Sequence, residues 1–306
     1  MNDRVSIILP SRNEIFLIKT IQDILKNSVG DIEVIAVLQG YWPQSHQTDY
    51  WSTPNIIEDR RIIYLHQGEA TGMRDAINKA ASIASGKYLM KMDAHCMVGE
   101  GFDEVLKSNI EENWVVIPRR KRLDAERWDI QDVGKPDVDY EFLSYPYWKP
   151  EEVGIHGTIW TNRIVERLNN PQYDIDENPT FQGSCWFTHK KFFDDVIEGM
   201  QEEGYGTFIG EPQELSMKAW LSGGKVMINK KTWYAHLHKG KTYGRGYSMN
   251  KGELIRGNAY SVDYWMNDRW SKAKYNMEWF VNEKFPDMPT WPKDWKQKCI
   301  ELGLIK

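Results

Sequence analysis

Cysteine is scarce in this chain: Cys96, Cys185 and Cys299 are the three among 306 residues. So few, and odd in number, they exclude a disulfide framework and point to a reducing compartment. Long apolar runs are missing too. None approaches the roughly 18–20 residues of a membrane span. The first, Val5-Ser-Ile-Ile-Leu9, is too short for the ~7–15-residue core of a signal peptide and reads as a buried strand. The expectation is a cytoplasmic protein (host cytoplasm for a viral chain) with no span or anchor of its own. Nor is there a basic excess. Thirty-nine Lys and Arg against 44 Asp and Glu leave a net charge of −5, which argues against a uniformly basic nucleic-acid coat but allows local basic patches. Repeats and low-complexity tracts are absent. What the chain has in excess is tryptophan, 14 copies against 13 Pro and 10 Phe. With 41% hydrophobic residues it can bury a substantial core, as one large α/β domain or two modest ones.

The first hundred residues alternate strand and helix. A strand at 5–9 leads through the turn Pro10-Ser-Arg-Asn-Glu14 into Ile15, Leu17, Ile18, Ile21, Ile24 and Leu25 at helical spacing. Glu33–Leu38 and Ile62–Leu65 are further strands, and Ala76, Ile77, Ala80, Ala81 and Ala84 give a helix ended by Gly86. Lys87–Met92 is the fourth strand and runs into Asp93-Ala-His95-Cys96. Such alternation predicts a doubly wound, mostly parallel sheet, whose ligands gather beyond the carboxyl ends of the strands. Val115–Ile117 is another strand, followed by the basic run Arg119–Arg122; residues 124–180 read as long loops rather than a second core. A strand at 182–187, a helix at 211–221 closed by Gly223-Gly224, and a strand at 225–228 follow. The three glycines of 239–246 suggest a mobile loop, and the tail from about 250 reads as helical, then Pro- and Trp-rich.

Asp93 and His95, two apart at a strand end, project to one side and can reach one ion. A carboxylate with an imidazole suits Mn²⁺, whereas an all-oxygen pair suits Mg²⁺ better. The plainer reading is a turn cap and an ordinary loop histidine. Ser11 and Asn13 are good helix N-cap types, Arg74 stands at a helix start, and acids such as Glu211 and Glu214 are welcome at one. Trp186 and Trp233 either offer a flat face for stacking or fill the core.

Several of these segments together resemble family 2 glycosyltransferases of the GT-A fold, and above all the polypeptide N-acetylgalactosaminyltransferases. Pro10–Glu14 and Asp93-Ala-His-Cys96 carry the resemblance, the latter against that family's Asp-Ser-His-Cys metal motif. Thr71-Gly-Met-Arg74, Pro179–Gly183, Gly210-Glu-Pro-Gln-Glu-Leu-Ser216, Trp220, Gly223-Gly224 and Ala235–Lys239 extend it, collinear over roughly residues 5–245. The resemblance implies a Rossmann-like GT-A catalytic domain over 1–248 and a helical, Trp-rich extension over 249–306. It implies a metal, Mn²⁺ or Mg²⁺, held by Asp93, His95 and a third ligand, His236 by the match with His238 as the rival. It also implies a donor site containing Pro10, Ser11, Arg12, Glu14, Gln39, Arg74, Asp93 and Trp186. Glu211 or Glu214 becomes the acceptor-side base or orienting group. The implied activity is transfer of a sugar from a nucleotide diphosphate donor, UDP-linked by the match, to an acceptor hydroxyl.

There are departures. Where the family ends its second strand in paired aspartates that read uracil, this chain has Leu38-Gln39. The expectation is a chain without the family's anchor, disulfides and lectin domain, to which its peptide acceptor does not carry over. The expected acceptor is a glycan, a protein or modified DNA. The run 119–122, the basic loop 239–245 and the aromatic tail suit a hydroxymethylated base of DNA if they form one surface; four consecutive basic residues otherwise read as a solvated loop. A nucleotide-sugar-binding module without catalysis is the remaining alternative. The sugar, the anomeric outcome and the oligomeric state are left open.

Overall fold

The computed structural model describes residues 3–40, 56–147, 153–245, 247 and 249–306. Gly246, the last residue of the expected mobile loop, lies outside them. In chain order, β1 (Val5–Ser11) is followed by α1 (Leu17–Asn27), which buries Leu17, Thr20, Ile21 and Ile24. β2 (Ile32–Gln39) is buried at every position, as its unbroken apolar run requires. β3 (Ile62–Gln67) is a half-exposed edge strand, α2 (Met73–Ile83) turns its alanines inward, and β4 (Tyr88–Met92) is fully buried. Helix α2 stops at Ile83, short of the expected Gly86. That glycine serves close approach instead, since a β-carbon there would lie 2.6 Å from the Arg4 carbonyl oxygen.

Next come β5 (Cys96–Val98), α3 (Phe102–Lys107), β6 (Trp114–Asp124), β7 (Asp129–Ile130), β8 (Glu141–Leu143) and β9 (Gly157–Ile159). They are followed by α4 (Thr161–Arg167), β10 (Ile175–Glu177), β11 (Cys185–His189) and α5 (Lys190–Phe192), which continues as a π-turn over Phe193–Ile197. α6 (Glu211–Leu221) falls on the expected span, and β12 (Lys225–His236) is far longer than expected. α7 (Gly240–Tyr243), α8 (Lys251–Met266), α9 (Met277–Trp279) and α10 (Trp295–Glu301) complete the chain. Among the described residues no helix is long and apolar enough to cross a membrane.

Among the described residues ten strands form one sheet in the order β10-β12-β6-β11-β4-β1-β2-β3, with β5 beside β12 and β7 beside β6. β4, β1, β2 and β3 run parallel, as do β6 and β12, and the antiparallel β11 joins the two halves. Two pairings build the site. The Asp93 N–H donates to the Ser184 carbonyl at 2.8 Å. β5 and β12 run antiparallel with His236 opposite Cys96, so a histidine distant in sequence arrives beside His95.

The stretch 124–180 differs from expectation. Tyr140, Phe142, Leu143, Ile155, Trp160 and Ile164 are buried in the same apolar cluster as the sheet. Strands of three residues are too short to show a period, which is why this stretch reads as loop. The basic run 119–122 is likewise no loop: it lies within β6. Arg119 pairs with Asp139 at 2.8 Å, and Lys121 pairs with Asp137 at 3.1 Å. In the tail, Trp265, Trp270 and Trp295 are buried, with Trp279 and Trp291 packed beside them in that same cluster. Three of these N–H groups find partners: Trp265 donates to the Tyr205 hydroxyl at 2.7 Å, Trp291 to the Leu143 carbonyl at 2.6 Å and Trp295 to Asn282 Oδ1 at 2.9 Å. These indoles pack the tail against the sheet.

Candidate active site

A cleft of about 760 Å³ opens beyond the carboxyl ends of β1, β2 and β4. Pro10, Ser11, Arg12 and Glu14 line it from the end of β1, Gln39 from β2, and Asp93 and His95 from the turn after β4. His236, His238 and Lys239 line it from the end of β12, and Tyr247, Asn250 and Glu253 close the far side.

Three side chains converge at its floor. Asp93 Oδ2 lies 3.4 Å from His236 Nε2 and 3.8 Å from His95 Nε2, and the two ring nitrogens are 3.1 Å apart. Ligand atoms about 2.1 Å from a common ion stand roughly 3.0–3.4 Å from one another, so the two shorter edges of this triangle match those of a divalent metal site and the 3.8 Å edge is wider. Two imidazole nitrogens at such a distance repel unless a proton or an ion lies between them. His238 stacks edge-on against His236, ring centres 5.2 Å apart, and is not one of the converging groups.

The surroundings prepare these groups. Glu14 Oε2 accepts from His95 Nδ1 at 2.9 Å, which turns the Nε2 lone pair towards the triangle. Lys239 pairs with the same Glu14 oxygen. Burial alone would raise the Glu14 carboxyl; the His95 bond and Lys239 outweigh it and hold it below the usual range. Burial chiefly pushes His236 down to about 4, against the bond to Asp93, so its ring is neutral and able to ligate at pH 7. Burial also opposes ionisation of Asp93, but the Lys91 ammonium and the His236 bond hold it well below its ordinary value. Nδ1 of His236 is a buried nitrogen with no protein partner among the described residues.

Four expected site residues stand behind the cleft wall. Arg74, 1% exposed, pairs with Glu214, donates to the Ile209 carbonyl and sits 4.1 Å over the Tyr205 ring. Glu214 takes its second pairing from Lys218 at 2.7 Å. Trp186 is fully buried and donates to Glu211 Oε1 at 2.6 Å. Glu211 Oε2 faces Lys91 at 3.3 Å, and burial raises this carboxyl above its ordinary value despite that cation. A donor-contacting Arg74, a sugar-stacking Trp186 and an acceptor-side base at Glu211 or Glu214 therefore do not match this geometry. Satisfied ion pairs and bulk packing hold all four inside. Trp233 packs in a small cluster with Phe16, Leu123 and Ala125.

Gln39 lines the cleft, yet its amide is engaged. Nε2 donates to Gln67 Oε1 at 2.7 Å and to Thr71 Oγ1 at 2.9 Å, while Oε1 accepts the Gly72 N–H at 3.0 Å. It pins the turn that opens α2, where Gly72 has φ 108° and Thr207 leaves no room for a β-carbon. Sequence reasoning missed two features here. Tyr247 receives the Arg12 guanidinium over its ring at 5.0 Å, a contact across the cleft mouth that no local pattern announces. Lys91 does leave a trace, being the one charge in the apolar strand Tyr88–Met92.

Comparison with known proteins agrees with this architecture. A family model described as glycosyl transferase family 2 matches residues 6–197. Polypeptide N-acetylgalactosaminyltransferase 5 of Caenorhabditis elegans is 24% identical over 87% of this chain and 42% of its own length. Polypeptide N-acetylgalactosaminyltransferase 12 of Homo sapiens is 24% identical over 87% of this chain and 44% of its own. The chain thus spans less than half the length of these curated relatives. Among solved structures, GalNAc-T7 with UDP, GalNAc and Mn²⁺ superposes with a TM-score of 0.67 at 16% identity, covering 95% of this chain and 59% of that one. S. aureus TarS 1-349 in complex with UDP-GlcNAc gives 0.55 at 13% identity, covering 98% and 78%. The fold is GT-A, and with the family model spanning most of the chain, this protein belongs to glycosyl transferase family 2.

Proposed function

We propose that the chain transfers a sugar from a nucleotide diphosphate donor to an acceptor hydroxyl, with a divalent metal, Mn²⁺ or Mg²⁺, held by Asp93, His95 and His236. The observation that carries this reading is the triangle of Oδ2 and two Nε2 atoms at the floor of the cleft, braced by Glu14. When bound there, the metal supplies Lewis-acid neutralisation of the charge that grows on the leaving diphosphate. Pro10, Ser11, Arg12, Glu14 and Gln39 form the nucleotide side of the cleft. A UDP donor is supported by the uridine nucleotides in the GalNAc-T7 and TarS structures. Residues 1–248 carry the chemistry; 249–306 act as a buttress whose first turn, with Asn250 and Glu253, completes the wall.

For the acceptor we favour a glycan or a protein. A DNA acceptor finds little support, because Arg119 and Lys121 of β6 pair with Asp139 and Asp137, and Arg120 faces Glu141 at 3.7 Å. The test is a panel of nucleotide sugars with Mn²⁺, following nucleotide release with glycan, protein and hydroxymethylated-DNA acceptors. Release from one donor that chelation abolishes is the expected result. Release indifferent to chelation overturns the metal assignment, and UDP binding without any release identifies a silent binding module.

A further inference from the structure

Lys91 interrupts an apolar strand and is completely buried, an arrangement costly for an ammonium unless every N–H is matched. All three donors are matched. They reach Asp93 Oδ1 at 2.8 Å, the Gly183 carbonyl at 2.5 Å and Glu211 Oε2 at 3.3 Å. Glu211 is itself fixed from behind by the Trp186 N–H, and a β-carbon on Gly183 would come within 2.8 Å of its Oε2, so the chain passes tightly over the pair. Asp93 is thereby divided. Oδ1 belongs to Lys91, and Oδ2 alone faces the ring nitrogens of His95 and His236.

We propose that Lys91 is a positioning residue, held by Glu211 and Trp186, that turns Asp93 so that a single oxygen is presented to the metal. The inference rests on the metal reading above. A lysine placed only to neutralise Glu211 has no need of Asp93. One that positions Asp93 needs an anchor on its far side, and Glu211 is that anchor. The acid at the start of α6 then acts through Lys91, not on the acceptor.

The test measures Mn²⁺ affinity by the electron paramagnetic resonance of free Mn²⁺, together with thermal melts, for the wild-type chain, Lys91→Met, Glu211→Gln and the double variant Lys91→Met with Glu211→Gln. Loss of such a supporting partner costs about 10–100-fold in metal affinity. That rise in Kd is expected for Lys91→Met and equally for the double variant. The double variant leaves no unpaired buried charge on Glu211 and carries the test if Lys91→Met fails to fold. Glu211→Gln weakens the anchor, since its single amide oxygen can accept from only one of Trp186 and Lys91, and a rise in Kd smaller than that of Lys91→Met is expected. A double variant with wild-type affinity overturns the inference, since Lys91 then merely neutralises Glu211. A wild-type chain that binds no Mn²⁺ overturns the metal reading, and this inference with it.

Discussion

Two polar clusters on either side of the cleft wall are built from the same kinds of side chain and have opposite character. Behind the wall, Arg74, Glu214 and Lys218 are almost fully buried, and each charge meets an opposite one. At the floor, Asp93, His95 and His236 bring one carboxylate oxygen and two ring nitrogens within 4.8 Å of one another on the cleft side. The first cluster is closed: it ties α2 and α6 to the segment around Gln201, whose N–H donates to Glu214 at 2.9 Å. The second is open towards the cleft, where the proposed metal would be held. Charged residue types alone do not separate a site from a staple; what separates them is whether the protein satisfies its own donor atoms. Lys91 stands at the junction, contributing to the open cluster through Asp93 and to the closed wall through Glu211.

The comparison breaks most sharply at Asp93. Asp93→Ala removes the one anionic group of the proposed metal site, and sugar transfer is expected to fall at least about a thousandfold, the scale on which charge stabilisation at a reacting centre acts. A variant that keeps metal-dependent transfer sinks the site assignment. Thermal melts give the second half of the result. Mn²⁺ at about a hundred times its Kd should stabilise the wild-type fold by about 2.7 kcal/mol and leave Asp93→Ala unmoved. Glu214→Ala is the mirror experiment. It strands Arg74 and Lys218 in the interior and should cost about 3–5 kcal/mol of stability, read by denaturant titration, while the folded protein still binds Mn²⁺. A Glu214→Ala protein of normal stability and no transfer activity would instead restore the acceptor-side role that its burial speaks against.

Much of this was legible from residues alone. β1, β2 and β4 are continuous apolar runs, α1 and α2 have clear periods, and Asp93-X-His95 falls at a strand end, where ligands gather. What escaped depends on partners far away in sequence. Nothing local says that Arg74 meets Glu214, 140 positions on, so a helix-start arginine read as a donor contact. Trp186 and Glu211 have the right types and the right neighbourhood for a site, yet their shared hydrogen bond turns both inward. The stretch 124–180 failed for another reason: β8, β9 and β10 have three residues each, too few for a period to register. The engagement of the basic run was within reach. Arg119 and Lys121 share one face of a strand, and Asp137 and Asp139 repeat that spacing of two a short way on.

That run gives the gentlest perturbation and the one that reaches the acceptor. Lys121 and Asp137 are both about a quarter exposed, at 24% each, so Lys121→Ala removes a screened pair worth less than about 1 kcal/mol. If the β6 cations form a closed cluster like that of Arg74, the variant should differ from wild type neither in transfer nor in salt-dependent binding to duplex DNA. The opposite outcome is specific as well. If Lys121 instead meets a phosphate, its removal lowers the slope of log affinity against log salt by about one. Such a change would move β6 to the open side of the comparison and bring a DNA acceptor back, because a cation spent on Asp137 has little charge left for a phosphate.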